Sequence, residues 1–452
     1  MQSNNHPVGL LIIGRKRPGF DQDWNAIMRQ KTAEAFATMK MPLFTPTVAV
    51  VDDESILAAL AQIRAAGCDA LVVLQPSLGN GQLSMTVAQH WPDPIILYAT
   101  PERQTGEKVS SCSLVATHLW ASVMRQAKHP FELVYGHPDA PETHTQLSNA
   151  LAIARTVRKL RSAKIGLVGA NAPGFIDMAS DPFVLSHRLG SQLHPLSLTQ
   201  FIDRVKSIPD ADVNQDMEKV HAMKLPLVNL KADDLPTNSR YYLAIRQLMA
   251  EESLDAISIQ CWPELSNLVG HWPYLAFTRL TCEGVPLSME GDTDGAILAL
   301  LANHLNLGVG FLTDWLEHSA DTITFWHAGV APLPLCYPVG SPNGPHITHH
   351  FNIQKPAVVD GPLRTDLPVT ISRLWRCDGQ YHLTAFPGTT IPPKRQLTGN
   401  TAWVHTPGHH IPTLFDTLCH AGMPHHVTLF QGHHGVELFK RTARALQLPW
   451  IG

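Results

Sequence analysis

Two carboxylates and two imidazoles stand at the ends of apolar runs in the second half of this 452-residue chain. Glu290, in Ser288-Met-Glu-Gly-Asp292, directly follows one such run, and Asp314, in Leu312-Thr-Asp-Trp315, ends the next. The 24 residues between them leave room for one helix and a return strand, so adjacent parallel strands would present both carboxylates at one sheet edge. His327, in Phe325-Trp-His-Ala328, closes a third run, and His426, in Met423-Pro-His-His-Val427, opens a strand near the end of the chain. Carboxylates accept protons and bind hard cations, and neutral imidazole is the commonest metal ligand. Two of each suit a divalent ion with open coordination positions. Any one of them alone reads equally as a helix cap, a solvated carboxylate or a hydrogen-bonded core histidine. Three at successive strand ends improve the odds of a shared site without deciding it.

The elements that must position them alternate. Apolar runs at Val8–Gly14, Thr47–Val51, Ala70–Leu74 and Ile95–Tyr98 read as buried strands, with helical patterns at Asn25–Met39, Glu54–Ala66 and Leu114–Gln126 and a short strand at Glu132–Tyr135. Short apolar strands alternating with amphipathic helices specify a parallel, doubly wound sheet. Pro138-Asp-Ala-Pro141 reads as a linker before a helix from about His144 to Leu160. A second unit opens with the strand Lys164–Gly169 and continues through a helix at Thr237–Glu252, strands at Asp255–Gln260 and Val285–Met289, a helix at Gly295–His304 and a strand at Gly308–Leu312. From about Ala331, Pro and Gly become frequent, and β-type runs at Val369–Arg373, Tyr381–Ala385 and Thr401–Val404 suggest a small antiparallel barrel, closed by the strand His426–Phe430 and a helix at Val436–Leu446. The expected division is 1–140, 141–330 and 331–452: two Rossmann-like parallel-sheet α/β domains, then a β-rich domain.

Composition narrows the function. The apolar fraction of 44% excludes disorder, and a net charge of −4 argues against a nucleic-acid partner. No apolar run is long enough to span a membrane, and the polar start is unlike a secretory signal. Seven scattered cysteines without Cys-x-x-Cys fit a reduced, cytoplasmic protein. The 25 histidines make a metal worth seeking. Gly14–Gly19 and Val168–Gly174 each follow a strand, yet neither is a dinucleotide fingerprint or a Walker A loop.

Several of these segments resemble the L-fucose isomerase and L-arabinose isomerase superfamily. Met289-Glu-Gly-Asp292 resembles the segment carrying its first metal-binding glutamate, and Thr313-Asp-Trp315 the segment carrying the second acid. Trp326-His-Ala-Gly329 resembles the arabinose-type histidine segment, and Pro424-His-His-Val427 the C-terminal one, with His426 in the ligand place. The chain is shorter than either named enzyme. Pro76-Ser77 stands where an aromatic residue is expected, and Pro173-Gly-Phe175 differs from the expected loop.

The resemblance implies an aldose–ketose isomerase, dependent on Mn²⁺ with Mg²⁺ or Co²⁺ as substitutes, that works as a trimer or hexamer with sites between subunits. Glu290 and Asp314 would be both the acid/base pair and metal ligands, with His327 and His426 completing the ligand set. Which carboxylate is the base, and whether a proton or a hydride moves, stay open. Gln260, Trp262 and Arg373 are candidate sugar contacts. The cationic run Arg15-Lys16-Arg17 follows the first strand, at the edge of a doubly wound sheet where ligands bind. Arginine there suits bidentate capture of an anion remote from C1, as in sulfoquinovose. The neutral alternatives are L-fucose, D-arabinose and L-arabinose. The competing functions are a non-catalytic sugar-binding protein and a metal-dependent hydrolase.

Overall fold

The computed structural model describes residues 6–15 and 20–452. The chain divides into two compact units, one formed by 1–159 with 444–447 and the other by 160–443 with 448–452.

The first unit is built on a parallel sheet of β1 (Val8–Ile12), β2 (Leu43–Phe44), β3 (Ala70–Leu74), β4 (Ile95–Ala99) and β5 (Phe131–Tyr135), in the order β2-β1-β3-β4-β5. The inner strands β1, β3 and β4 are apolar on both faces because both are covered, whereas the edge strand β5 exposes Leu133 and Tyr135. Leu71, Val73, Ile95 and Leu97 pack on α2 (Asp53–Ala65), α3 (Leu83–His90) and α4 (Ser113–Gln126) through Ile56, Leu60, Val87 and Trp120. The alternate residues Val8, Leu10, Val72 and Ile96 pack on Phe36 of α1 (Gln22–Thr38) and on Leu147, Leu151 and Ala154 of α5 (Pro141–Leu160). Thus α5 belongs to the first core, and this unit runs to 159 rather than stopping at the expected linker. The expected strand Thr47–Val51 is reduced to one bridge, Ile13 to Val50, and the edge strand is Leu43–Phe44, bracketed by Pro42 and Pro46.

The second unit holds a parallel sheet of β6 (Lys164–Val168), β7 (Gln192–Leu196), β8 (Ala256–Ile259) and β9 (Leu287–Met289), in the order β7-β6-β8-β9. Helices α6 (Pro182–Leu189), α7 (Leu198–Ser207), α8 (Asp210–Ala222), α9 (Pro236–Glu252), α10 (Glu264–Val269) and α11 (Tyr274–Cys282) accompany it. After α12 (Thr293–His304) comes a closed antiparallel barrel. Its strands are β10 (Gly310–His318), β11 (Thr322–His327), β14 (Pro368–Cys377), β15 (Gln380–Ile391), β16 (Asn400–His405) and β17 (His426–Gln431). A small hairpin-like pair, β12 (His346–Thr348) and β13 (Val358–Asp360), lies in the connection, and α13 (Ile411–His420) and α14 (Gly435–Ala445) flank β17.

The strand expected at Gly308–Leu312 is therefore not a neighbour of β9. It is β10, paired antiparallel with β11 and β17, and the barrel begins near 310 instead of 331. The reason lies in α12. Its Gly-Ala-Ile-Leu-Ala-Leu-Leu-Ala stretch is buried nearly all round because it packs against β8 and β9 as well as β14. A strand covered by such a helix on one side and by barrel core on the other looks like a parallel strand in sequence.

Candidate active site

Glu290 leaves β9 in a left-handed conformation, φ 59°, and Gly291 follows at φ 77°. A side chain at Gly291 would meet Ala170 O at 2.3 Å, so only glycine lets this turn close onto the turn after β6. Ala172 N donates to Glu290 O at 2.8 Å, tying the two turns together. The strained backbone aims the Glu290 carboxylate at the barrel strands.

Asp314 and His426 lie directly opposite each other on β10 and β17, and therefore on one face of the ladder. The His426 Nε2 is 3.4 Å from a Glu290 carboxylate oxygen and 3.8 Å from Asp314 Oδ1. His327 ends β11, with its ring centroid 5.6 Å from that of His426. All four expected ligands converge, although from a different arrangement than two adjacent parallel strands: Glu290 comes from the parallel sheet and the other three from neighbouring barrel strands.

The imidazoles are oriented from behind. His426 Nδ1 donates to Asp292 Oδ2 at 3.0 Å, and His327 Nδ1 to Ala328 O at 3.2 Å, which leaves each Nε2 free to act as a ligand. Asp292 is wholly buried and also caps α12 through Gly295 N at 2.9 Å. Arg373 grips both of its oxygens, at 2.6 and 2.9 Å. Burial alone would raise the Asp292 carboxyl, but Arg373 and His426 hold it far below the usual carboxylate range. For His426, burial opposes a charge, yet the bond to Asp292 and the nearby Glu290 carboxylate outweigh it and, with no metal bound, carry the ring up to about 10. Burial would likewise raise Glu290, but the His426 and His327 imidazoles keep it below its ordinary value.

This negative pocket suits a cation. Ligand atoms of Glu290, His425 and His426, and those of Asp314, His327 and His426, lie within 4.8 Å of one another. His426 Nε2 and Asp314 Oδ1 are buried without a hydrogen-bond partner. The donors are carboxylate oxygens and imidazole nitrogens with no thiolate among them, a set that a divalent ion could use.

Glu290, Asp314, His327 and His425 border a cavity of about 340 Å³ walled by Phe175, Trp262, Tyr274, Trp326 and Phe351, with His426 buried behind it. Trp262 is thus at the cavity, stacked on Phe175 at 5.9 Å. Gln260 is not among the lining residues: its Oε1 accepts from Ala170 N at 2.9 Å and secures the turn after β6. Arg373, expected to touch sugar, is fully buried behind Asp292. Arg15 follows β1 in the first unit, its guanidinium 5.7 Å from the Phe20 ring, and Arg17 lies outside the described residues, as does Lys16.

The sequence reading missed His425, whose Nδ1 bonds Asp177 at 2.7 Å and whose Nε2 is 4.0 Å from Asp314. It also missed Asp292. The only available signal was its place two residues after Glu290.

Residues 11–161 match the family described as fucose/sulfoquinovose isomerase, N-terminal domain. A sulfoquinovose isomerase of Priestia aryabhattai is 25% identical over 441 residues, 96% of this chain and 97% of its own. One from Alkalicoccus urumqiensis is 23% identical, covering 87% and 88%. Among solved structures, a periplasmic solute-binding protein from Actinobacillus succinogenes 130z with bound D-allose covers 67% of this chain and 92% of its own at 10% identity, with a TM-score of 0.18, too low to bear on the fold. With full-length relatives of one activity and a match across the first unit, the chain is similar to the fucose/sulfoquinovose isomerases and is an aldose–ketose isomerase.

Proposed function

We propose that this isomerase interconverts sulfoquinovose and its ketose, with Mn²⁺ held by Glu290, Asp314, His327 and His426. The observation that carries the metal reading is that these side chains gather in two triads sharing His426, with His426 and His327 oriented by Asp292 and Ala328 O. A bound divalent ion supplies Lewis acidity toward the sugar's C1 and C2 oxygens. The chain's own groups do the rest. One carboxylate takes the C2 proton and returns it to C1, while the other moves a proton between the two oxygens. Trp262 and Phe175 offer aromatic faces to the apolar side of an open-chain sugar.

The sulfonated substrate is supported by the activity named for the relatives and by Arg15-Lys16-Arg17. In a sheet ordered β2-β1-β3-β4-β5, the carboxyl end of β1 borders the topological switch point, a ligand-binding place in such folds. No Lys or Arg lines the cavity among the described residues, so an anion needs another source of cations. A homo-oligomeric, cytoplasmic enzyme completes the reading, the latter supported by seven free cysteines. No described helix is long and apolar enough to cross a membrane.

The test incubates Mn²⁺-loaded protein with sulfoquinovose, L-fucose, D-arabinose and L-arabinose and follows ketose by NMR, in wild type and Arg17→Ala. Sulfoquinovose should be the best substrate, and Arg17→Ala should lower its kcat/KM selectively. A neutral sugar turning over best removes the anion assignment and leaves the isomerase.

A further inference from the structure

His350 lies in the connection between β12 and β13, buried to 3% exposure, and borders the same cavity as Glu290 and His327. Its Nδ1 accepts from two backbone amides, Asn352 N at 3.3 Å and Ile353 N at 3.2 Å. A ring nitrogen that accepts carries no proton, so the neutral ring bears its hydrogen on Nε2. Among the described residues no protein acceptor takes that hydrogen. The ring stacks on Trp272, 4.7 Å away and inclined by 28°, and lies 4.7 Å from the tilted Phe351 ring. Burial also pushes the imidazole down to about 4, with His327 adding to the effect.

We infer that His350 is a fixed, neutral hydrogen-bond donor that contacts the substrate oxygen on which charge develops during isomerisation. This rests on the isomerase reading of the cavity and adds a residue to it. Glu290 and Asp314 are acceptors, and a sugar oxygen gaining negative charge needs a donor that does not itself give up its proton. A neutral imidazole whose other nitrogen is pinned by backbone amides meets that need: it donates and stays protonated throughout, so no proton is lost to the substrate. The Trp272 stack and the two hydrogen bonds from backbone amides fix its direction before the sugar arrives.

The experiment compares His350→Phe, which keeps a stacking ring without a donor, and His350→Gln, which keeps a donor without a titrating ring. Steady-state kinetics of the Mn²⁺-loaded enzyme use sulfoquinovose, or L-fucose if sulfoquinovose is not turned over. Mn²⁺ affinity is measured by calorimetry on the same proteins. His350→Phe should lower kcat about 10²–10³-fold with little change in KM, the range for removing one donor to a developing oxyanion. His350→Gln should recover about tenfold of that loss. Mn²⁺ affinity should be unchanged in both. The inference is overturned if His350→Phe keeps wild-type kcat, if Gln is no better than Phe, or if Mn²⁺ affinity collapses, which would make His350 a metal ligand. If wild type converts no aldose while binding Mn²⁺, the reading of the cavity itself falls and takes this inference with it.

Discussion

Each parallel sheet presents a glutamate beyond a strand's carboxyl end, and the two have opposite fates. Glu102, after β4, accepts five hydrogen bonds: from Ser110 N and Oγ, Ser111 N and Oγ, and Cys112 N, all between 2.6 and 2.9 Å. Glu290, after β9, faces one imidazole at 3.4 Å and borders the cavity. A carboxylate saturated with short bonds from its own chain has no lone pair left for a ligand, and it holds a loop and the start of α4. One that is buried, ionised and unsaturated retains the capacity to take a proton or a cation. The difference lies in how many donors the following loop returns to the carboxylate.

The contrast can be broken most severely at the cavity. Stripping metal with EDTA should abolish turnover, and Mn²⁺ should restore it. Full activity in protein shown metal-free by elemental analysis would overturn the ligand assignment. Glu290→Gln and Asp314→Asn should each lower kcat at least about 10²-fold, as expected for losing acid–base catalysis, with the circular dichroism spectrum retained. Wild-type turnover in either variant removes that residue from the chemistry.

Asp292→Asn sharpens the contrast from behind the site. Mn²⁺ affinity measured by calorimetry should fall about 10–100-fold as His426 loses its orienting partner. The same change leaves Arg373 without its buried counter-charge, so denaturant unfolding should show a loss of about 3–5 kcal/mol. Unchanged affinity beside lost stability would make Asp292 a structural residue only.

At Glu102 the expected effect is smallest and purely structural. Burial opposes its ionisation, but the Ser110 and Ser111 bonds prevail and hold the carboxyl at about 2, below its ordinary 4.5. Because the folded value is depressed, the contribution is present above pH 4.5 and is lost as pH falls toward 2. Glu102→Gln should cost about 1–3 kcal/mol at neutral pH, flatten the acid limb of the stability curve and leave kcat untouched. A kcat change would show that this loop serves the reaction.

The inner strands β1, β3 and β4 were legible because both faces are covered, which leaves continuous apolar runs such as Ala-Leu-Val-Val-Leu at β3, whereas the two-residue edge strand Leu43–Phe44 was misplaced to Thr47–Val51. Helix α3 escaped notice, having only eight residues and no side-chain cap. The four converging residues were legible by type and position, but their partnership was not. Sequence gives Asp314 as the end of an apolar run without saying that β10 pairs with β17 rather than β9. Arg373 showed the opposite failure. An arginine in a β-run near a site reads as a ligand contact, and only the fold reveals that Asp292 has already taken its guanidinium. His350, beside His349, reads in sequence as a surface or supporting histidine, because its tautomer is set by amides two and three residues downstream in an irregular loop.

The rung that joins Asp314 to His426 has a consequence for how such an enzyme diversifies. A slip of one residue in β17 would turn His426 to the opposite face of the ladder. The pair is therefore inherited with the strand register and tolerates neither insertion nor deletion within it. Phe175, Trp262 and Phe351 occupy no rung; they come from connections after β6, β8 and β12. Such connections accept changes of length and sequence that strands refuse. Descendants of this chain can thus exchange the sugar they accommodate through indels in the connecting segments, while the proton-moving centre passes on intact.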